Sequence, residues 1–287
     1  MSLARHEYRF HEHLRVRWAE VDMQKIVFNG HYLMYVDTAV AGYWRALALP
    51  YHETMEALNG DLYVRKATLE YEASARYDQR LAVGIRCARI GNSSMTFQTG
   101  VYRDDQCLVH GDLVYVFANP ATQTSVPVPA VLRSALEAFE AGEPMVDIRV
   151  GTWEGQRDAA STLRHAVFAQ EQGIAADLMV DDKDASAVHA LAINRMGLAV
   201  GSGRLLQAGP GVAQIGRMAT HAGVRGAGVG MQVLQSLMRA ARARGDQEVK
   251  LMAQTSAVPF YLRAGFVVHG PQFMEAGVSH QEMRRAL

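Results

Sequence analysis

The chain has 287 residues, more than one compact core usually holds, which predicts two domains. With 49% hydrophobic and 20% charged residues it reads as a globular protein, neither disordered nor fibrous. Its 29 Lys+Arg balance 29 Asp+Glu, so no overall field favours nucleic acid or an anionic membrane as a partner. The 2 cysteines, Cys87 and Cys107, cannot make a disulfide framework or a multi-cysteine zinc site, and they read as reduced core thiols on strands.

In chain order, residues 1–10 carry charges throughout and lack the apolar core of a signal peptide, and no later run approaches membrane-spanning length. The cytoplasm is the expected compartment. A strand is predicted over residues 8–18, then a loop to 29 and a long apolar helix over 30–47, stopped by Pro50. From 61 to 118 the pattern turns to period two. Leu81, Val83, Ile85 and Cys87 alternate with other residues, as do Met95, Phe97, Thr99 and Val101, with a Gly91-Asn92 hairpin signal between the runs. Asp104-Asp105 makes the next turn, and Cys107, Val109, Gly111, Leu113, Tyr115 and Phe117 continue the alternation. One long helix followed by an antiparallel meander predicts an α+β arrangement in which the sheet wraps the helix.

A Pro/Thr/Ser-rich stretch over 119–129 ends the sheet, and a short amphipathic helix follows over 130–141. Gly142-Glu143-Pro144 reads as a linker, which sets the expected domains at 1–143 and 144–287. The second half restarts with a strand over 146–153, a helix over 157–170, and strands over 189–193, 197–206 and 212–220. Val229, Val233, Leu234, Leu237, Met238 and Ala241 then share one helical face, Gly245 closes that helix, and 248–253 reads as a buried strand.

The run from Trp18 through Asp22 to Tyr32, with the helix after it and the later Leu69-Glu-Tyr71 and Asn92-Ser-Ser94 segments, resembles the 4-hydroxybenzoyl-CoA thioesterase branch of the hotdog superfamily over about residues 8–140. The resemblance implies a hotdog fold whose subunits pair with sites at the dimer interface. It also implies that Asp22 acts on a thioester as nucleophile or general base while the start of the long helix polarises the carbonyl. The physics is consistent: free N–H groups at Asn29, Gly30 and His31 would carry the partial positive charge that stabilises an oxyanion. The alternative for Asp22 is a loop carboxylate that caps a turn. Two positions depart from the family, Lys25 where it usually has Gly and His31 where it often has Asn. His31 is either an aid to the leaving group or a structural donor. Glu20 and Glu70 are weaker acid/base candidates and are expected to be solvated. His6, His11 and His13 match no zinc spacing, so they read as strand-face residues and no metal is expected.

Arg225-Gly226-Ala227-Gly228-Val229-Gly230 lies directly after one predicted strand and before the strong helix. Strand, glycine turn and helix make an anion-binding layout, because glycines let the backbone approach a pyrophosphate and the helix start points its N–H groups at the charge. The missing Lys-Ser/Thr argues against an NTPase, and the glycine spacing differs from that of a dinucleotide fold. The segment is similar to the CoA-binding motif of the GNAT superfamily through Arg225, Gly228 and Gly230, and Ala257-Val-Pro-Phe-Tyr261 through Gly265-Phe266 resembles that superfamily's later motif. Val167 through Gln172, which includes Glu171, and Phe273 through Met283 resemble one bacterial branch of small GNAT proteins. The resemblance covers about residues 146–287 and implies a mixed sheet flanked by helices. The backbone of Met218 and Thr220 would bind the pantetheine arm, Arg225 through Gly230 the pyrophosphate, and Tyr261 would be the general acid. Glu275 or His280 would accept the amine proton. Alternatively Tyr261 and His280 are satisfied packing residues, as Phe260, Phe266 and Phe273 are expected to be.

Together the halves imply a bifunctional CoA-thioester enzyme that hydrolyses an acyl-CoA in one domain and transfers an acyl group, expected to be acetyl, to an amine in the other. Acyl-CoA or acetyl-CoA would be substrate, with no permanently bound cofactor, and the chain would form a homo-oligomer through its hotdog domains. The alternative is that one domain is a non-catalytic CoA-binding or oligomerisation module serving the other.

Overall fold

The structure, a computed structural model, describes residues 3–175, 178–275 and 277–287. The chain folds as two units, Met1–Met145 and Val146–Leu287, each with its own sheet. Both are α+β.

In the first unit, β1 (Phe10–Arg15), β2 (Asp61–Tyr71), β3 (Arg80–Ile90), β4 (Ser94–Arg103) and β5 (Gln106–Asn119) form an antiparallel sheet in the order β1-β3-β4-β5-β2, extended by the two-residue β6 (Thr124–Ser125). Helix α1 (Asn29–Ala46) packs on β1, β3 and β4. Its Val36, Ala39 and Tyr43 are fully buried, at the helical spacing that makes one face. From the sheet, Val83, Ile85, Met95, Phe97 and Val101 meet them, likewise with no exposure. The helix comes close to β1 because Gly42 has no side chain: a Cβ there would lie 2.7 Å from the Phe10 ring. Pro50 does more than stop α1, since it is the N-cap of a second helix, α2 (Tyr51–Ala57), too short to show a period in the sequence. Helix α3 (Ala130–Glu140) closes the unit, and its Glu140 accepts hydrogen bonds from the Tyr43 hydroxyl and the Cys87 amide, at 2.5 and 2.8 Å. Cys87 and Cys107 are free thiols on β3 and β5, half-buried rather than core; burial pushes the Cys87 thiol up to about 12.

The second unit holds β7 (Val146–Gly151), β8 (Val188–Asn194), β9 (Ala199–Gly209), β10 (Val212–Thr220), β11 (Glu248–Gln254), β12 (Val267–Glu275) and β13 (Val278–Ala286), in the order β12-β13-β11-β10-β9-β8-β7. Among the described residues only β10 and β11 run parallel, and they pair from Val212 to Ile215. Beyond Ile215 the strands diverge, so this edge of β10 loses its strand partner, and a bulge against β9 falls between Gly216 and Ala219.

Helix α4 (Trp153–Arg164) begins four residues earlier than the sequence pattern indicates and runs into a wider π-helical turn, His165–Glu171. Helix α5 (Val229–Arg244) packs on β8, β9 and β10 through Val229, Val233, Leu234, Leu237 and Ala241. Glycines in β9 make room for it, since a Cβ at Gly203 would lie 2.7 Å from a Leu237 methyl and one at Gly201 2.8 Å from Val229. A short α6 (Val258–Arg263) follows β11. Among the described residues no helix is long and apolar enough to cross a membrane.

Candidate functional sites

In the first unit, Asp22 sits half-buried in a tight loop pinned to the start of α1. The Phe28 amide donates to the Glu20 carbonyl at 3.0 Å, and the Asp22 amide to the Ile26 carbonyl at 2.9 Å. Lys25, where the resembled family has Gly, adopts φ 62, so the loop keeps the left-handed turn that glycine favours without the glycine. One carboxylate oxygen of Asp22 accepts from the Gln24 amide at 2.8 Å, and the other has no hydrogen-bond partner among the described residues.

Phe28 is the N-cap of α1 and caps it with no side-chain bond. The amides of Asn29 and Gly30 find no acceptor among the described residues, whereas that of His31 is spent on the Phe28 carbonyl at 2.9 Å, so two of the three expected donors remain available. The Tyr71 hydroxyl donates to the Asn29 carbonyl at 3.1 Å and braces this turn. The His31 ring packs edge-on against Phe28, and its Nδ1 lies 3.3 Å from the Met34 sulfur, the setting of a packed ring.

Glu20 is not solvated: it is 4% exposed and accepts from the Tyr35 hydroxyl at 2.7 Å and from Nε of Arg17 at 2.6 Å. Burial alone would raise its pKa, but those hydrogen bonds and the Arg17 charge hold it below the usual carboxylate range. It therefore anchors the loop. Glu70 is exposed, 3.8 Å from His110. His11 and His13 lie on β1, but His6 falls in a 3-10 turn, Arg5–Glu7, rather than on the strand face.

In the second unit the glycine loop has Gly226 at φ 91 and Gly228 at φ 80, left-handed conformations that need glycine. The amides of Gly226, Gly228, Val229 and Gly230 meet no acceptor among the described residues, and Gly228 caps α5 without a side-chain bond. Ala227 and Arg225 differ from expectation, because their amides are spent inside the turn on the carbonyls of Val224 and Ala222, at 3.2 and 3.3 Å. The Arg225 guanidinium is committed as well. It grips both carboxylate oxygens of Glu171 at 2.5 and 2.7 Å, and its Nε donates to the Thr220 carbonyl at 3.1 Å. Arg225 thus holds the loop in shape. A Cβ at Gly230 would fit tightly, 3.0 Å from the Thr220 hydroxyl.

Where β10 and β11 part, a cleft of about 540 Å³ opens, and Met218, Tyr261, Glu275 and His280 all line it. Four residues singled out from three stretches of sequence therefore meet at one place. Tyr261 is 7% exposed, packed edge-on against Phe260 and Phe266, and its hydroxyl has no hydrogen-bond partner among the described residues. Burial pushes its pKa up to about 12. His280 stacks on Phe273, and its Nδ1 lies 2.9 Å from the Val278 carbonyl. A carbonyl only accepts, so Nδ1 carries the proton and Nε2 is left as the basic nitrogen.

The charged wall of this cleft was not among the features expected from the sequence. Asp181 accepts from both terminal nitrogens of Arg204 at 2.6 and 3.1 Å and from Arg217 at 3.0 Å. Behind it, Asp184, with no exposure, binds Arg164 at 2.9 Å and Arg204 at 3.0 Å. The His189 Nε2 lies 2.9 Å from the Asp184 carbonyl, and its Nδ1 lies 3.3 Å from Arg164, so the buried ring is neutral with its proton on Nε2. Hydrogen bonds from Arg204 lower the pKa of Asp181. Asp184, which burial alone would raise, is held low by the Asp181 amide and Arg164.

Residues 170–287 match the family model of the acetyltransferase (GNAT) domain, and residues 24–109 match that of the thioesterase superfamily. The chain is 32% identical over 133 residues to the uncharacterized N-acetyltransferase YjcF of Bacillus subtilis (strain 168), across 46% of this chain and 94% of that one. Solved structures similar to it include the PA5185 protein of Pseudomonas aeruginosa strain PAO1, at 27% identity over 49% of this chain and 98% of that one, with a TM-score of 0.43. Another is a thioesterase superfamily protein from Jannaschia sp. CCS1, at 22% identity over 48% and 96%, with a TM-score of 0.44.

Proposed function

We propose that this chain, which belongs to the acetyltransferase (GNAT) family through its C-terminal half and to the thioesterase superfamily through its N-terminal half, acts on coenzyme A thioesters at two separate sites. The C-terminal unit transfers an acetyl group from acetyl-CoA to an amine, and the N-terminal unit hydrolyses an acyl-CoA. One observation carries the transferase reading: a buried, protonated tyrosine hydroxyl without a protein partner opens on the same cleft as a histidine whose Nε2 is free to accept a proton.

The free amides of Gly226, Gly228, Val229 and Gly230 suit the CoA pyrophosphate, and the edge of β10 at Met218 suits the pantetheine amides, while the Thr220 carbonyl is already taken by Arg225. In the cleft the amine nitrogen attacks the thioester carbonyl carbon, a C–N bond forms, and the C–S bond breaks. The amine proton passes to His280 Nε2 or, through water, to Glu275. The Tyr261 hydroxyl donates a hydrogen bond to the departing sulfur. With a pKa of about 12 it is a weaker acid than a thiol, so it stabilises the thiolate chiefly as a donor.

In the N-terminal unit, Asp22 attacks the thioester or activates water, and the amides of Asn29 and Gly30 hold the developing oxyanion. The second carboxylate oxygen of Asp22, free of partners, supports this role. A homodimer completes the site. Among the described residues strand β2 pairs with β5 alone and leaves Val64 and Tyr71 exposed, and Phe28, Leu33 and Met34 are exposed beside the start of α1. The half-buried free thiols fit a reducing cytoplasm.

The test is a panel of acyl-CoA esters with mass detection of free acid and N-acyl product, run on the wild type, Asp22→Ala and Tyr261→Phe. Loss of free acid only in the first variant and of N-acyl product only in the second is the expected result. CoA release untouched by either change would refute both assignments. Sedimentation checks the dimer.

A further inference from the structure

Among the described residues, the cleft of the C-terminal unit is lined by more cations than acids. Lys183, Arg204 and Arg217 face it, against Asp181 and Glu275. Asp181 is already saturated: one oxygen takes Arg204 at 2.6 Å and the Lys183 amide at 3.0 Å, and the other takes Arg204 at 3.1 Å and Arg217 at 3.0 Å. Behind this wall the buried Asp184 pairs with Arg164 and also with Arg204 at 3.0 Å, so Arg204 is compensated and Arg217 is the cation left over. The Nε atoms of Arg204, itself 5% exposed, and of Arg217 are buried without an acceptor. Arg217 makes no hydrogen bond through Nη1 among the described residues, while its side chain stays 31% exposed. The chain holds this residue at φ 52 in the bulge of β10, an unfavourable conformation for any residue with a Cβ, and so places a guanidinium at the cleft wall.

A wall with one uncompensated cation, whose exposed Arg217 end keeps Nη1 unbonded among the described residues, is complementary to a carboxylate. We infer that the acceptor is an amino-acid-like molecule, an amine that also bears a carboxylate, which is held by Arg217 and Lys183 while the amine faces His280. A cleft of about 540 Å³ far exceeds an acetyl group and leaves room beside the end of the pantetheine arm for an acceptor, for whose side chain Phe168, Leu178 and Met179 supply an apolar lining. This assignment rests on the transferase reading and narrows its substrate class.

Matched pairs of acceptors that differ only in the carboxylate, such as phenylalanine and phenethylamine, test it with acetyl-CoA as donor. The expected result is a kcat/KM at least about tenfold higher for the acid, the scale of one charge-assisted contact. Arg217→Ala should lower the rate for phenylalanine toward that for phenethylamine, and Arg217→Lys should restore part of the difference. Equal rates for the pair in the wild type, or an equal loss for both in Arg217→Ala, would overturn the inference. So would a preference for succinyl-CoA over acetyl-CoA with phenethylamine that Arg217→Ala removes, because the carboxylate would then belong to the donor. Calorimetric titration of the CoA-loaded protein with N-acetylphenylalanine and N-acetylphenethylamine reads the same preference without turnover. Tighter binding of the acid upholds the inference even where absent turnover refutes transfer, and equal binding overturns it.

Discussion

Arg225 and Glu171 form a two-pronged ion pair across 54 residues of chain, at 2.5 and 2.7 Å, and so tie the glycine loop to the end of the π-helical turn. Both side chains are about two-fifths exposed, 43% and 39%, and solvent screens such a pair, so it adds little to stability. Its consequence is geometric: it fixes the turn that presents the free amides.

Glu171→Ala and Arg225→Ala should therefore act alike. Each is expected to raise the KM for acetyl-CoA by roughly three- to tenfold, the scale of one contact within a coupled network, with kcat little changed. The double variant should be no worse than either single one. Steady-state kinetics on the three proteins decides it. A much larger effect from Arg225→Ala alone would mean that the guanidinium leaves Glu171 for the phosphate when CoA binds.

Tyr261→Phe should reduce kcat for transfer by about 10²-fold, at the lower end of what a proton donor contributes, and leave the dissociation constant for CoA within about twofold. The pH profile carries a further expectation. Burial raises the Tyr261 pKa to about 12, so the hydroxyl stays protonated through the working range and its titration imposes no fall in rate up to about pH 10. A basic limb near pH 9 that is lost in Tyr261→Phe would show that the hydroxyl ionises in the working enzyme.

The His189 ring, buried among Arg164, Asp184 and Arg204, makes folding sensitive to mild acid. Burial first, and then the neighbouring arginines, lower its pKa from 6.5. Below that value the unfolded chain takes up a proton that the folded chain refuses, so stability is complete above about pH 6.5 and declines as pH falls toward the depressed folded value. His11 is lowered too and adds in the same direction. Urea titrations at pH 7.0 and 5.5 should therefore show a smaller stability loss in His189→Gln than in the wild type, with the His11 contribution cancelling in the comparison. An identical loss in both proteins would mean that His189 is protonated in the folded state.

How much of this was legible in the sequence depends on whether a feature is local. The alternation at Leu81, Val83 and Ile85 and the helical face from Val229 to Ala241 gave the right elements because each repeats within one stretch of chain. The glycine loop and Tyr261 were legible as motifs, and the structure brings Tyr261, Glu275 and His280 to one cleft. The charged wall was not legible, since Arg164, Asp181, Asp184, Arg204 and Arg217 come from α4, a loop, β9 and β10, and an isolated arginine in a strand has no period to reveal it. Asp181 and Asp184 left a faint trace, a cap spacing before a 3-10 turn. Glu171 lay within a stretch already noted for its resemblance, but its partner could be found only in three dimensions. Glu20 was misjudged as solvated because nothing local shows that Tyr35 and Arg17 enclose it.

Asp22 stands between two roles that a single substitution can separate. Its carboxylate caps the Gln24 amide through one oxygen, the ordinary work of a turn residue, and leaves the other oxygen free, as a catalytic group requires. Asp22→Asn keeps an oxygen for the cap and removes the charge. If the residue is catalytic, hydrolysis should fall by about 10³-fold while the melting temperature shifts by no more than about 2 °C. Lys25→Gly is the companion variant: at φ 62 it relieves a left-handed lysine, so it should preserve the loop and stabilise the fold by up to about 1 kcal/mol, while hydrolysis persists. Acyl-CoA hydrolysis and thermal melts on the two variants settle the matter. An Asp22→Asn protein that still hydrolyses acyl-CoA at the wild-type rate would leave Asp22 only its cap, and the nucleophile or base would have to be another group near the free amides of Asn29 and Gly30.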